Sequence, residues 1–283
     1  MPERLLTLAV FATALLLAAT VSADTPHITF DGTATQGGLL VARVPAGSSA
    51  TVDGEAVQLT DDGRFLIAIA RDRTDPVRIG VTLPDGQKAD HDVVPEKREF
   101  DIQRIDGLPQ DRVTPPEHVL ERIRNDNELT RQARKRRDAR TDWAEGFSWP
   151  LTGRITGVYG SQRILNGEPR NPHWGLDIAA PTGTKVKAPA PGIVTLAHSD
   201  MYFSGGTLFI DHGHGLVSAF LHLSALDVEV GDAVERGQTV ARVGATGRAT
   251  GPHLDWRVNL GSTRIDPALL VDWEENPDAK QPR

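Results

Sequence analysis

The chain has 283 residues, with 31 Lys and Arg set against 38 Asp and Glu for a formal net charge of −7. That length allows two ordinary domains with connections, and 24% charged against 39% hydrophobic residues excludes a disordered chain. The acidic balance argues against nucleic acid as a partner, because phosphate binding needs an excess of Lys and Arg. Cysteine is absent, which excludes disulfides, a thiolate nucleophile and a Cys-ligated metal; metal ligands can only be His, Asp or Glu.

In chain order, Met1 to Ala23 has a basic residue, a short apolar run and small residues at Val21 and Ala23. This is the pattern of a secretory signal peptide cut after Ala23, and it predicts an exported protein of the periplasm or cell envelope. No later segment is apolar enough to span a bilayer, so none is expected after cleavage. Residues 24–100 alternate in short runs, such as Gly38 to Val44, Arg64 to Ala70 and Val77 to Leu83, separated by Pro45-Ala-Gly, Asp61-Asp-Gly and Pro84-Asp-Gly. The period of two and the turn chemistry predict a small β-sandwich of structural or adaptor role. A linker over 101–146 follows, with a helix expected over about 115–144. Thr114 is placed to cap that helix, two prolines suit its first turn, and Glu117 completes a capping box. Its apolar stripe is thin (Val119, Leu120, Ile123, Leu129), and the run Arg131 to Arg140 is strongly basic. A solvated helix packed on the last domain accounts for it better than a surface for anionic polymer.

From Phe147 to Val271 strands are expected at Gly153–Val158, Lys185–Ala188, Gly192–His198, Gly206–His212, Leu216–Leu223, Thr239–Val243 and His253–Asn259. Close spacing and Gly or Pro at the junctions predict an antiparallel β-sandwich or barrel. The polar tail from 272 to 283 is expected to be mobile.

Six of the nine histidines fall between 173 and 253. A lone strand His is more often an ordinary residue than a ligand, so the neighbouring carboxylates decide. His173 and Asp177 are placed to converge on one cation, a weak signal by itself. In a strand, His253, Asp255 and Arg257 share one face while Leu254, Trp256 and Val258 share the other, which suggests a polar wall over an apolar backing. His222 lies in an otherwise apolar strand, where an imidazole is costly without a partner, so a face toward the polar site is its economical placement.

Taken together, His173-Trp-Gly-Leu-Asp-Ile-Ala-Ala-Pro-Thr-Gly183, Ala190-Pro-Gly-Ile-Val194, Phe209-Ile-Asp-His-Gly213, Phe220-Leu-His-Leu-Ser224, Val230 to Val240 and Gly244 to Leu254 resemble, in order and spacing, the lysostaphin-type (LytM-like) zinc metalloendopeptidases. The match covers 147–271 and leaves the front half unmatched. It implies a mainly β fold with a duplicated hybrid motif, and one zinc ion held by His173, Asp177 and the residue at 255. It also implies catalytic roles for His222 and His253, and endopeptidase cleavage of the peptide cross-links of peptidoglycan. His212 matches no catalytic position, and His198 and His214 are expected at the surface.

The chain departs from the pattern at Asp255, where the family has His. A carboxylate reaches less far than an imidazole, and two carboxylates cancel the formal charge of the ion and favour harder metals. Arg257, on the same face, is placed to pair with Asp255 and compete with a metal. The alternative is therefore a degenerate member of the fold that binds the wall and activates or recruits other cell-wall enzymes. A biotinyl- or lipoyl-type carrier domain fits less well: it needs a Lys in a tight turn, and none occurs between Lys187 and Lys280.

Overall fold

The computed structural model describes residues 28–105 and 117–279. The expected signal peptide and the Thr114 cap lie outside these residues. The front unit contains β1 (Thr29–Gly32), β2 (Leu39–Arg43), β3 (Ser49–Val52), β4 (Glu55–Ala56), β5 (Arg64–Ala68), β6 (Val77–Thr82) and β7 (Lys88–Val93). They form a three-stranded sheet, β1-β2-β5, and a four-stranded sheet, β4-β3-β6-β7. Alternation places Leu40, Ala42, Phe65, Ile67, Ile79 and Val81 between the two sheets. β2 and β5 read as continuous apolar runs because the other face is also covered: Leu39 and Leu66 join the core of the second unit, with Trp143 and Trp149.

After β8 (Ile102–Ile105), the linker helix α1 spans Leu120–Ala133, preceded by a 3-10 turn at Glu117–Val119. The expected helix over 115–144 is thus too long at its C-terminal end. The remaining basic run is pulled out of helical geometry by tertiary partners. Arg140 donates to the buried carboxylate of Asp211 (2.7 Å), Arg136 lies 3.4 Å from the same oxygen, and the Asp138 carbonyl accepts from the His214 amide. Those contacts outweigh helix propensity, which is a weak local term.

The second unit contains β9 (Ile155–Gly157), β10 (Gln162–Leu165), β11 (Glu168–Pro169), β12 (Leu176–Ala179), β13 (Lys185–Lys187), β14 (Gly192–Met201), β15 (Gly205–Asp211), β16 (Leu216–Leu223), β17 (Ala225–Leu226), β18 (Ala233–Val234), β19 (Thr239–Arg242), β20 (His253–Leu260) and β21 (Thr263–Ile265). Its main sheet is antiparallel, in the order β18-β14-β15-β16-β20-β12-β9, with β21 on β20. A small sheet, β13-β19-β17, closes over one face around Leu176, Ile178, Phe220, Leu254, Trp256 and Val258. The predicted strands at 185–271 all appear, most within a residue or two of the expected ends. The mainly β architecture is as the sequence implied.

The opposite face of the main sheet divides in two. Across β14, β15 and β16 it is apolar, with Leu196, Phe209, Val217, Ala219 and Leu221 covered by Ala133 of α1. Across β12 and β20 it is polar.

Against the expectation of a mobile tail from 272, residues 272–276 are anchored to the second unit, while 280–283 lie outside the described residues. The Asp272 carbonyl accepts from Trp149 Nε1, Trp273 stacks edge-on against Trp149, and the fully buried Asn276 bonds both the amide and the carbonyl of Gly153. Two tryptophans and one amide anchor a segment that is polar in sequence. Phe220→Ala, at the centre of the larger core, should cost about 3–5 kcal/mol in denaturant unfolding, because a large buried ring leaves a cavity.

Candidate metal centre

β12 and β20 are antiparallel neighbours with Asp177 directly opposite Asp255. Both side chains rise from the polar face, while Leu176, Ile178, Leu254 and Trp256 anchor the strands in the core from the other face. Two carboxylates opposite one another repel unless a cation lies between them. The sequence-predicted residue His173 comes in from the loop before β12. Its Nε2 lies 3.1 Å from Asp177 Oδ1 and 3.6 Å from Asp255 Oδ2, and the three donor atoms fall within 4.8 Å of one another.

The hydrogen bonds decide how the imidazoles face. His173 Nδ1 sits 3.2 Å from the Val158 carbonyl, His222 Nδ1 2.8 Å from the Thr246 carbonyl, and His253 Nδ1 2.8 Å from the Gly251 carbonyl. A carbonyl only accepts, so each Nδ1 carries hydrogen, and each neutral ring presents an unprotonated Nε2 to the cleft. At His173 this turns a lone pair toward two carboxylate oxygens. Asp177 Oδ1 is buried without a hydrogen-bond partner. His173 Nε2 and Asp177 Oδ1 are thus facing acceptors without a donor, with Asp255 Oδ2 beside them, and they require a proton or a metal ion between them.

A metal fits. Ligand bonds of about 2.0–2.1 Å in a tetrahedron separate donors by roughly 3.3 Å, which the two distances from His173 bracket. The proton is the competing solution. Burial opposes charge on His173, but hydrogen bonds to Asp177 and Asp255 outweigh it and raise the imidazolium from 6.5 to about 10. Burial likewise disfavours the Asp255 anion, yet Arg257 and His173 hold its carboxyl well below the usual carboxylate range. Arg257 grips Asp255 as the sequence suggested, with Nε 2.9 Å from Oδ1 and Nη2 2.6 Å from Oδ2. An oxygen has two lone pairs, so Oδ2 can accept from Arg257 and still face His173.

His222 and His253 flank this trio. Their ring centroids are 4.9 Å apart, and His253 Nε2 is 3.8 Å from Asp177 Oδ1. Strict alternation would send His222 into the core beside Phe220. Instead the β15–β16 register slips there, and His222 adopts φ +63°, a left-handed conformation that β-bulges use and most residues avoid. The bulge turns the ring to the cleft, where burial depresses its pKa. Thr246 secures it, since its hydroxyl accepts from the Gly206 amide and donates to the Leu223 carbonyl.

Two glycines were missed by sequence reasoning. A Cβ at Gly157 would lie 2.2 Å from Asp177 Oδ2, and one at Gly175 would lie 2.3 Å from Asp255 Oδ1. Both are the floor against which the carboxylates rest. The front unit supports the same loop, because Arg71 donates twice to the Gly160 carbonyl (3.0 and 2.7 Å) while the Gly160 amide donates to the His173 carbonyl. Other histidines stay outside. His212 is fully buried between the Pro191 carbonyl and Ser218, and burial depresses it to about 4. His198 is half-buried and accepts from the Asp200 amide. His214, expected at the surface, is 7% exposed against Trp143, because the linker folds over its turn.

Comparison with known proteins places this region in a known family. Residues 171–267 match Peptidase family M23. The crystal structure of a Pseudomonas aeruginosa protein with the M23 peptidase designation superposes with a TM-score of 0.61 at 30% identity, over 84% of this chain and 95% of that one. The chain belongs to peptidase family M23. The cell division protein DipM of Caulobacter vibrioides is 34% identical over 126 residues, 44% of this chain and 20% of DipM. The peptidoglycan DD-endopeptidase ShyB of Vibrio cholerae is 35% identical over 123 residues, 44% of this chain and 25% of ShyB. The chain thus spans a quarter or less of these two relatives, whereas the M23 likeness to the Pseudomonas protein extends through the front unit.

A metal held by His173 would have to displace the proton from its imidazole. Apparent metal affinity should therefore rise about tenfold per pH unit between pH 6 and 9, measured by competition with a chelating dye. Without metal the raised pKa stabilises the fold fully below 6.5, and that contribution is lost as pH climbs through about 10. Urea unfolding with chelator present should accordingly show stability falling from pH 7 to 10.

Proposed function

We propose that the chain is an exported, zinc-dependent endopeptidase that hydrolyses peptide cross-links of peptidoglycan, with His173, Asp177 and Asp255 as ligands and His222 and His253 as catalytic residues. The carrying observation is the buried Asp177 oxygen without a hydrogen bond, facing His173 Nε2 beside Asp255. The DD-endopeptidase relatives support the substrate class, and the leader-like Met1 to Ala23 supports export to the periplasm or envelope.

When bound, the ion supplies Lewis acidity toward water and the scissile carbonyl. The residues do the rest. His222, held by Thr246 and kept neutral by burial, offers Nε2 as the base that takes the proton of the attacking water. The same nitrogen returns that proton to the leaving amine as the C–N bond breaks. His253, 4.9 Å away ring to ring, is placed to steady the oxyanion when it carries its proton. Arg257 offsets one of the two carboxylate charges, so the ion is not fully neutralised by its ligands.

A second reading rests on that same Arg257. Its bidentate hold on Asp255 already neutralises the carboxylate, which suits a chain that binds the wall and recruits another hydrolase. Metal analysis and release of soluble fragments from purified wall separate the two. Under the hydrolase reading the full chain holds one zinc, His173→Ala loses metal and release together, and His222→Ala keeps the metal but slows release by roughly 10²–10⁴. A wild-type chain with no metal and no release, together with Asp255→His creating both, would establish the recruiting role instead.

A further inference from the structure

The polar face of the main sheet continues beyond the two carboxylates. Along β20, Arg257 and Asn259 follow Asp255 on one face, and Arg264 of β21 stands directly opposite Asn259. On the neighbouring strand β16, Leu221, Ala219 and Val217 pair with Asp255, Arg257 and Asn259, forming an apolar floor with Phe209. Ala133 at the end of α1 lies on that floor, and the guanidinium of the next residue, Arg134, stands 4.7 Å over the Phe209 ring.

These groups lack partners. Among the described residues, neither the Arg134 nor the Arg264 guanidinium has a hydrogen bond or a carboxylate, and Arg134 Nε and Arg264 Nη1 are buried without acceptors. Asn259 is 1% exposed, yet its amide nitrogen and oxygen are both unpartnered. Buried donors without acceptors are rare and costly, and cations without counter-charge more so. Burial, then repulsion by Arg264 and Arg257, depresses Arg134 to about 9; burial, then repulsion by Arg257, depresses Arg264 to about 10. Trapped water would satisfy the N–H groups but leave the charge uncompensated. The other positive neighbours are already spent, with Arg257 on Asp255 and Arg98 on Asp266. Neighbouring N–H donors with excess positive charge suit a planar oxyanion.

We propose that Arg134, Arg264 and Asn259 form a subsite for a free carboxylate of the bound peptide. The assignment deepens the reading of the cleft as a wall-peptide site and rests on it. Four residues of extended strand separate Asp255 from Asn259, about 13 Å, so the recognised carboxylate lies several residues from the bond at the metal. It comes from an acidic side chain or from the C-terminus of the peptide.

The test is equilibrium binding of three synthetic pentapeptides to the full chain, with chelator present so that no turnover occurs. The peptides are Ala-Glu-Lys-Ala-Ala with both carboxylates free, its C-terminal amide, and the amide with Glu replaced by Gln. The peptide without carboxylates should bind roughly tenfold or more weakly than the one with both, since a charge-assisted hydrogen bond is lost. The C-terminal amide identifies which carboxylate is read. Arg264→Gln and Arg134→Gln should each remove the discrimination while melting no lower than wild type, because each deletes an unpaired charge. Equal affinity for all three peptides, absence of binding, or discrimination retained in both variants would overturn the subsite. Zinc-free, inactive protein that still discriminates would defeat the hydrolase reading and leave the subsite standing.

Discussion

Two carboxylates face one another on adjacent strands, and most features of the cleft follow from that juxtaposition. Asp177 and Asp255 are in register on β12 and β20, a placement that is unfavourable by itself. Three devices make it tolerable: Arg257 neutralises Asp255, His173 inserts a nitrogen between the pair, and two side-chain-free positions, Gly157 and Gly175, let the carboxylates settle against backbone. The stiffness needed to maintain such a pairing comes from the apolar side of the same strands, where Leu176, Ile178, Leu254 and Trp256 are immobilised in the core. Burial on one face thus maintains electrostatic tension on the other.

Asp255 with Arg257 amounts to a different solution from an imidazole at the same point. An imidazole would bring a neutral ligand and leave the full charge of an ion against one carboxylate. Here a second carboxylate arrives with its own counter-charge, so the local sum is nearly the same although the groups differ. Under the proposed ligand assignment, that equivalence would let Asp stand at 255 without dismantling the geometry of His173 and Asp177.

Much of this was legible from residue order. Period-two alternation in His253 to Asn259 put His253, Asp255 and Arg257 on one face, and the structure has them so, with Arg257 on Asp255. The turn residues between apolar runs marked the strand ends of both units. What stayed hidden depended on contacts between distant segments. The apolar company of His222 pointed it toward the polar site, but the bulge that turns it there against the alternation of the strand left no local signal. The end of α1 was misjudged because Arg136 and Arg140 leave the helix for Asp211, some seventy residues away, and the tail because Trp149 and Gly153 hold Asp272 and Asn276. Gly157 and Gly175 carry no motif; their importance is visible only when neighbouring carboxylates are placed.

The sheet formed by β1, β2 and β5 has no wet side at its centre: Leu40, Phe65 and Ile67 serve one core, and Leu39 and Leu66 the other. Such a shared wall makes each unit part of the solvent shield of its neighbour. Cleaving the chain between them would strip oil from both surfaces at once and free the Gly160 loop from Arg71, so the second unit is not an autonomous cassette that can be grafted elsewhere unchanged.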